Sequence, residues 1–158
     1  MSGYTYRRWT FSEMRSHMGG RWEDMPFRHW QEAGLERDKM PLDIDVARYE
    51  AAEQKAVLKV FAVCLGGEPV GYAQYFITTH PHYKSTVWAI SDTFYVEPEH
   101  RSIVTALGFF QVIEGCLRED GARFMYTTTE VGVPGAARVL ERLGHTPAEL
   151  SFVKSLGA

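Results

Sequence analysis

Cysteine is scarce in this chain, with two residues, Cys64 and Cys116, among 158. Both sit in apolar settings without metal-ligand spacing. A disulfide framework and a thiolate metal site are therefore not expected, and both read as buried reduced thiols. An excess of basic charge is missing as well: 17 Lys and Arg stand against 20 Asp and Glu, a net charge of −3. Apart from Arg7-Arg8 there is no basic run, so duplex binding through phosphate neutralisation is disfavoured and no nucleic acid is expected as a partner. No apolar run approaches the ~18 residues that a membrane span needs, and the opening MSGYTYRRWTF carries no apolar signal segment. The expectation is a cytoplasmic protein without membrane contact. Repeats and low-complexity stretches are also absent. One further scarcity is local. In VEPEHRSIVTALGFF, residues 96–110, a strand end runs into a helix, a place where glycines commonly let a loop cradle phosphate. Here Ser102, Ile103, Val104 and Thr105 fill the turn, and the first glycine, Gly108, is already inside the helix.

What is present suits one domain with a core of ordinary size: 45% of residues are hydrophobic and 23% charged. The first 45 residues are rich in aromatics and methionine and weakly periodic. TYRRWTF reads as an opening strand, and FSEMRSHMGGRW as a short helix capped by Ser12 and stopped by Gly19-Gly20. DVARYEAAEQKA, about residues 45–56, reads as a helix. VLKVFAVCL and VGYAQYFIT are strands joined by the turn GGEP, and STVWAISDTFYV is a third, reached through the loop THPHYK. In the following helix Ile103, Ala106, Leu107, Phe110, Ile113 and Leu117 keep helical spacing, and Gly121 stops it. ARFMYTTTE (strand), PGAARVLERLG (helix, Pro134 in its first turn and Gly144 past its end) and AELSFVKSL (strand) close the chain.

This order predicts an α/β fold with a mixed, mostly antiparallel sheet of six to seven strands flanked by helices. The strand–helix–strand step makes its two strands parallel and aims the helix N-terminus, with about half a positive charge, at the carboxyl edge of the sheet.

GGEPVGYAQYFI, HPHYKSTVWAISDTFYVEPEHR and AARVLERLGHTPAELSFVKSL, in this sequence order, resemble the GNAT N-acetyltransferases, in detail those encoded by tailed bacteriophages. The likeness spans roughly residues 45–156. It implies a single domain over 1–158, divided into a variable acceptor-side region (1–45), an antiparallel meander (57–96), a cofactor loop and helix (97–120) and a C-terminal strand–helix–strand (122–158). It also implies a wedge between the DTFYV and RFMYTTT strands that takes acetyl-CoA. The strand residues Phe94, Tyr95 and Val96 would line its pantetheine, with backbone groups of Phe94 and Val96 as partners. The pyrophosphate would sit on Arg101, Ser102, Ile103, Val104, Thr105 and Ala106. The acceptor would be a small-molecule or protein amine, and a homodimer or a virion protein is a further candidate partner. The protein would work in the host cytoplasm or with the virion.

Three positions depart from the family pattern R/Q-x-x-G-x-G/A and its neighbours. Val104 stands where a loop glycine is usual, and a β-branched residue does not easily reach positive φ. The loop must therefore bind phosphate with right-handed turns, helped by Ser102 and Thr105 hydroxyls and by Arg101 or His100. Leu140 replaces a tyrosine that often protonates the leaving thiolate, and it falls on an apolar stripe with Ala136 and Leu143. Val133 replaces an asparagine at the start of that helix.

For amine acetylation, Asp92 is the base candidate. It lies four residues before Val96, with Ile90 and Phe94 on its own face, where burial would make a carboxylate more basic. The competing reading is an aspartate bonded to backbone or to a loop residue. His80 and His82 alternate across Pro81 and share a face. Together they would line the acceptor pocket and pair with Asp92, His82 being the catalytic candidate; a metal site or a solvated loop are the other readings, and no metal is expected because further ligands at suitable spacing are missing. Gly108 and Gly115 imply that something presses on one helix face, either the sheet or another subunit. Trp9, Trp22, Met25, Phe27 and Trp30 either cover the acceptor side of the sheet or form an exposed docking surface. The expected function is acetyl transfer from acetyl-CoA to a primary amine. A catalytically degenerate GNAT-fold protein with a structural role, for example in a phage particle, is the alternative.

Overall fold

The computed structural model describes residues 3–130 and 133–157. Strand β1 is Tyr4–Trp9. Helix α1, Phe11–Met18, starts from Thr10 rather than from Ser12. The Thr10 hydroxyl accepts from the Glu13 N–H at 3.0 Å, and the Glu13 carboxylate accepts from the Thr10 N–H at 2.7 Å. This reciprocal capping box satisfies two of the helix's orphan donors. The Ser12 hydroxyl instead donates to Glu53. Helix α2, Asp24–Ala33, was not expected. Pro26 lies in its first turn, where a missing N–H costs nothing, but it reads in sequence as a breaker. Helix α3 is Val46–Gln54, with Asp45 as its cap.

Strands β2 (Leu58–Leu65) and β3 (Glu68–His80) form a hairpin across Gly66-Gly67. Both glycines have positive φ, +61° and +93°, as a two-residue hairpin loop requires. Strand β4 is Tyr83–Val96, α4 is Ile103–Glu119, β5 is Phe124–Tyr126 and α5 is Pro134–Arg142. Among the described residues the sheet has five strands in the order β1-β2-β3-β4-β5, antiparallel except for the parallel pair β4–β5. The expected six to seven strands are thus too many. ARFMYTTTE pairs only over Phe124–Tyr126 and then leaves the sheet, so no long edge remains for a further strand. AELSFVKSL runs as an irregular segment whose Leu150, Phe152 and Leu156 are exposed.

Two apolar layers cover the sheet. On one face Phe61, Val63, Ala73, Tyr75 and Ala89 pack against Phe109, Ile113 and Leu117 of α4. On the other, Leu58, Val60, Tyr72 and Tyr95 pack against Phe11, Met14 and Met25, with Trp9, Trp22 and Tyr49 at the margin. The aromatic-rich opening therefore divides. Trp9, Trp22 and Met25 belong to this layer, whereas Phe27 is exposed and stacks on Trp30 with ring centroids 5.7 Å apart. Of the expected α4 stripe, Phe110, Ile113 and Leu117 are buried, while Ile103, at the start of the helix, and Leu107 stay partly exposed. The Tyr6 ring lies over Gly108, so the sheet itself presses there; Gly115 faces open space. Cys64 is buried, Cys116 half-buried, and both are unpaired; burial pushes the Cys64 thiol up.

Candidate functional site

The site begins where β4 and β5 part. They pair at Trp88–Phe124, Ala89–Met125 and Ile90–Tyr126, and no further. Side chains then take over from the backbone ladder: the Ser91 hydroxyl accepts from the Thr128 N–H at 2.8 Å and lies 3.1 Å from the Thr128 hydroxyl. One residue earlier, the Thr127 hydroxyl lies 3.0 Å from that of Tyr75. These contacts pin the apex of a fork.

The opposite edge of β4 contains a bulge at the same level. Thr93 pairs with Gln74 and Ser91 with Tyr75, which leaves Asp92 without a partner residue. A bulge resets the alternation of side chains and sharpens the local twist. Asp92 and Thr93 consequently face the same layer: Tyr49 donates its hydroxyl to Asp92 Oδ2 at 2.5 Å, and Thr93 donates to Gln74 Oε1 at 2.9 Å. Phe94 points to the other face, against Phe109 and Phe110. This corrects the expectation that Asp92 shares a buried face with Phe94. Asp92 is exposed, and its environment is the Tyr49 hydroxyl rather than an apolar wall.

Beyond the bulge, the Glu97 N–H bonds to Val70 O on β3 at 2.9 Å. Peptide groups along a strand point to alternate edges. Those of Phe94 and Val96 therefore point to the opposite edge, the one β5 has vacated. A cleft of about 390 Å³ opens on this edge. Asp92 to Val96 line one wall, and Thr128 to Glu130 with Val133, Ala136 and Val139 line the other. Its end is formed by Arg101, Ser102, Ile103, Thr105 and Ala106. Val104 does not line it and points outward, 60% exposed.

The α4 N-terminus closes that end without a left-handed residue, since no position from Arg101 to Ala106 has positive φ. Ser102 is the cap, in extended backbone, and its hydroxyl accepts from the Thr105 N–H at 3.0 Å. The Thr105 hydroxyl is buried 2.8 Å from that of Ser102. Ala106 N–H bonds to Ser102 O. The first-turn donors that remain are the N–H groups of Ile103 and Val104, at the positive end of the helix dipole.

Helix α2 forms the roof, a part of the site that sequence reasoning missed because α2 was not legible as a helix. His29 and Glu32, three residues apart and so on one helical face, both line the cleft. The His29 ring stacks on Tyr95 at 5.0 Å, its Nδ1 lies 3.3 Å from the Tyr72 hydroxyl, and its Nε2 lies 3.9 Å from Glu130 Oε1. Burial lowers the His29 pKa, with Glu130 and Glu32 opposing. Glu32 grips Arg101 through both carboxylate oxygens, at 2.7 and 2.6 Å, which holds its carboxyl below the usual range. Arg101 Nε donates to Val96 O at 2.7 Å, and its guanidinium lies over the Tyr95 ring. Nearby, Arg28 is paired with Glu97, to which the Tyr95 hydroxyl also donates. Burial, and then the Glu97 charge, push that hydroxyl up to about 12.

His82 is not brought to this place. The β3–β4 turn is only Pro81-His82, and the nine residues of β4 between His82 and Asp92 span ~30 Å. His82 donates its N–H to His80 Nδ1 at the hairpin tip. Leu140 is buried, 7% exposed, as an apolar stripe requires. Among the described residues no cluster of three or more His, Cys, Asp or Glu has metal-binding geometry, and no helix is long and apolar enough to cross a membrane.

A sequence model described as the acetyltransferase (GNAT) family matches residues 19–145. No curated protein matches the sequence. Among solved structures, an aminoglycoside acetyltransferase from an uncultured soil metagenomic sample superposes with a TM-score of 0.73 at 12% identity, covering 98% of this chain and 99% of its own. A ribosomal-protein-alanine N-acetyltransferase from Brucella melitensis biovar Abortus 2308 gives 0.69 at 14% identity, covering 98% and 99%. The aminoglycoside acetyltransferase AAC(6')-Iy, in complex with the bisubstrate analogue CoA-S-monomethyl-acetylneamine, gives 0.66 at 18%, with the same coverage. At such identities the superpositions speak for the fold.

Proposed function

The chain belongs to the acetyltransferase (GNAT) family, and from that premise we propose that it transfers acetyl from acetyl-CoA directly to a primary amine. The observation that carries this reading is the open edge of β4. The peptide groups of Phe94 and Val96 face a cleft that ends on the N-terminus of α4. Such an edge suits pantetheine as a missing strand, and the N–H groups of Ile103 and Val104 with Arg101 suit a diphosphate.

In the reaction the amine nitrogen attacks the thioester carbonyl, the C–S bond breaks, and CoA leaves as its thiolate. The proton from the amine goes to Asp92 or to a water it holds. The Tyr49 hydroxyl fixes the direction of that carboxylate. Backbone N–H groups of the open edge stabilise the oxyanion. With Leu140 in place of a tyrosine, the thiolate departs without a positioned acid there; a thiol of pKa ~8.5 is a workable leaving group near neutrality. The acceptor class is a small-molecule or protein amine, in line with the amine substrates named for the structural neighbours.

Two observations favour the other reading, a GNAT-fold protein kept for an interaction, for example in a bacteriophage particle. Arg101 is already engaged by Glu32. The exposed Leu150, Phe152 and Leu156 also suit contact with a second copy or another protein. Thermal unfolding with CoA separates the two readings. At 100 times its Kd, a ligand stabilises by about 2.7 kcal/mol, a rise of roughly 5–10 °C in Tm for a domain of this length. An unmoved Tm at millimolar CoA rules out the transferase. A screen of amines with released CoA thiol as readout then identifies the acceptor.

A further inference from the structure

We infer that Glu32 is a built-in competitor for the anionic cofactor, holding the one cleft-lining arginine of the α4 loop until a diphosphate displaces it. The inference rests on the reading of the cleft as the acetyl-CoA site. Arg101 has three engagements: Nη1 and Nη2 with the two oxygens of Glu32, and Nε with Val96 O. A bidentate carboxylate on guanidinium has the same fork geometry that a phosphate would use, so the two anions compete for the same donors. Glu32 is ionised throughout the neutral range, because Arg101 itself holds its carboxyl below the usual value. It comes from α2, 69 positions away in sequence, and lines the same cleft.

Arg101 lines the end of the cleft beside the N-terminus of α4, where an anion would sit. In this chain its free-state partner is a carboxylate from the acceptor-side helix. Two consequences follow. The loop, which lacks glycines, binds diphosphate less tightly than its donors allow, because part of the binding free energy goes into parting Arg101 from Glu32. In addition, displacement of Glu32 loosens one of the ties that hold α2 over the cleft, while the Arg28–Glu97 pair stays in place. Cofactor entry and the position of the roof are thereby coupled, and the coupling is reciprocal.

The test is calorimetric titration of the whole chain with CoA and, separately, with pantetheine, which lacks the diphosphate. Glu32→Gln removes the charge at almost constant shape. It should tighten CoA by about two- to fivefold, the range expected for a partly exposed ion pair, and leave pantetheine unchanged. In an Arg101→Ala background the same substitution should give less than half of that gain, since no guanidinium is left to release. Unchanged or weaker CoA binding by folded Glu32→Gln overturns the inference, as does equal tightening of pantetheine or an undiminished gain without Arg101. In those cases wild-type binding of CoA leaves the reading of the cleft standing. If neither wild type nor Glu32→Gln binds CoA, that reading fails and the inference fails with it.

Discussion

The Ser91 hydroxyl accepts the Thr128 N–H at 2.8 Å at the point where the β4–β5 ladder ends. This bond holds the two strands together for one more residue and so sets where the cleft starts. Ser91 is buried, 8% exposed. Ser91→Ala leaves the Thr128 donor without its partner in a partly enclosed position, at a cost of about 1–3 kcal/mol. The expected outcome is a Tm lower by roughly 3–10 °C together with weaker CoA binding, because the fork loses its fixed apex. Thermal denaturation and CoA titration of the variant check this. A fall in Tm with CoA affinity unchanged would show that the pin serves stability alone.

The Tyr49–Asp92 bond makes a graded prediction. Asp92→Asn removes the proton acceptor and should lower kcat by about 10²-fold or more, the usual yield of a positioned base, with CoA affinity nearly unchanged. Tyr49→Phe keeps the carboxylate but frees its orientation, and a smaller loss, about tenfold, is expected. Steady-state kinetics on the acceptor found by the screen measures both. Full activity in Asp92→Asn takes this residue out of the mechanism.

Much of the fold was legible in the sequence because its signals are local. Gly66-Gly67 between two β-rich runs can hardly be anything but a hairpin, and the 17-residue helix α4 starts and stops at its own cap and glycine. Asp92 could be singled out as a candidate because it sits on the strand that the resemblance pointed to. Its surroundings were not legible. A single extra residue in β4 rotates Asp92 toward Tyr49, and no local composition marks a bulge. His82 failed for a related reason: sequence proximity to the cofactor strand says nothing about which end of a 14-residue strand a turn occupies. His29 and Glu32 were invisible because their partners Tyr72 and Arg101 lie 43 and 69 residues away in the chain, and because their helix has Pro26 in its first turn.

His29 carries a pH prediction. Burial lowers its folded pKa, while in the unfolded chain it titrates near 6.5. Just below pH 6.5 the unfolded state therefore binds more protons than the folded one, and stability falls as the pH falls. The charges of Glu130 and Glu32 oppose the shift and that of Arg101 adds to it, so the loss sets in near pH 6.5 and grows as the pH falls toward the lowered folded value. Chemical denaturation at pH 7.5 and 5.5 should show wild type losing more stability than His29→Gln. Equal losses would mean that His29 does not titrate in this window.

The two helical glycines of α4 should respond to alanine with opposite signs. Both gain up to about 1 kcal/mol in helix propensity. At Gly115 a new Cβ meets nothing within 4 Å, so Gly115→Ala should raise Tm by roughly 2–4 °C. At Gly108 it would lie 2.4–2.6 Å from the Tyr6 ring, a ring also stacked on Phe109 and unable to retreat without disturbing that layer. Overpacking of this kind costs about 1–3 kcal/mol, enough to outweigh the propensity gain, so Gly108→Ala should lower Tm. If instead a second subunit lay against Gly115, its alanine variant would also be destabilised and the change would depend on protein concentration. Melting curves of both variants at two concentrations tell the sheet from a partner as the reason each glycine is there.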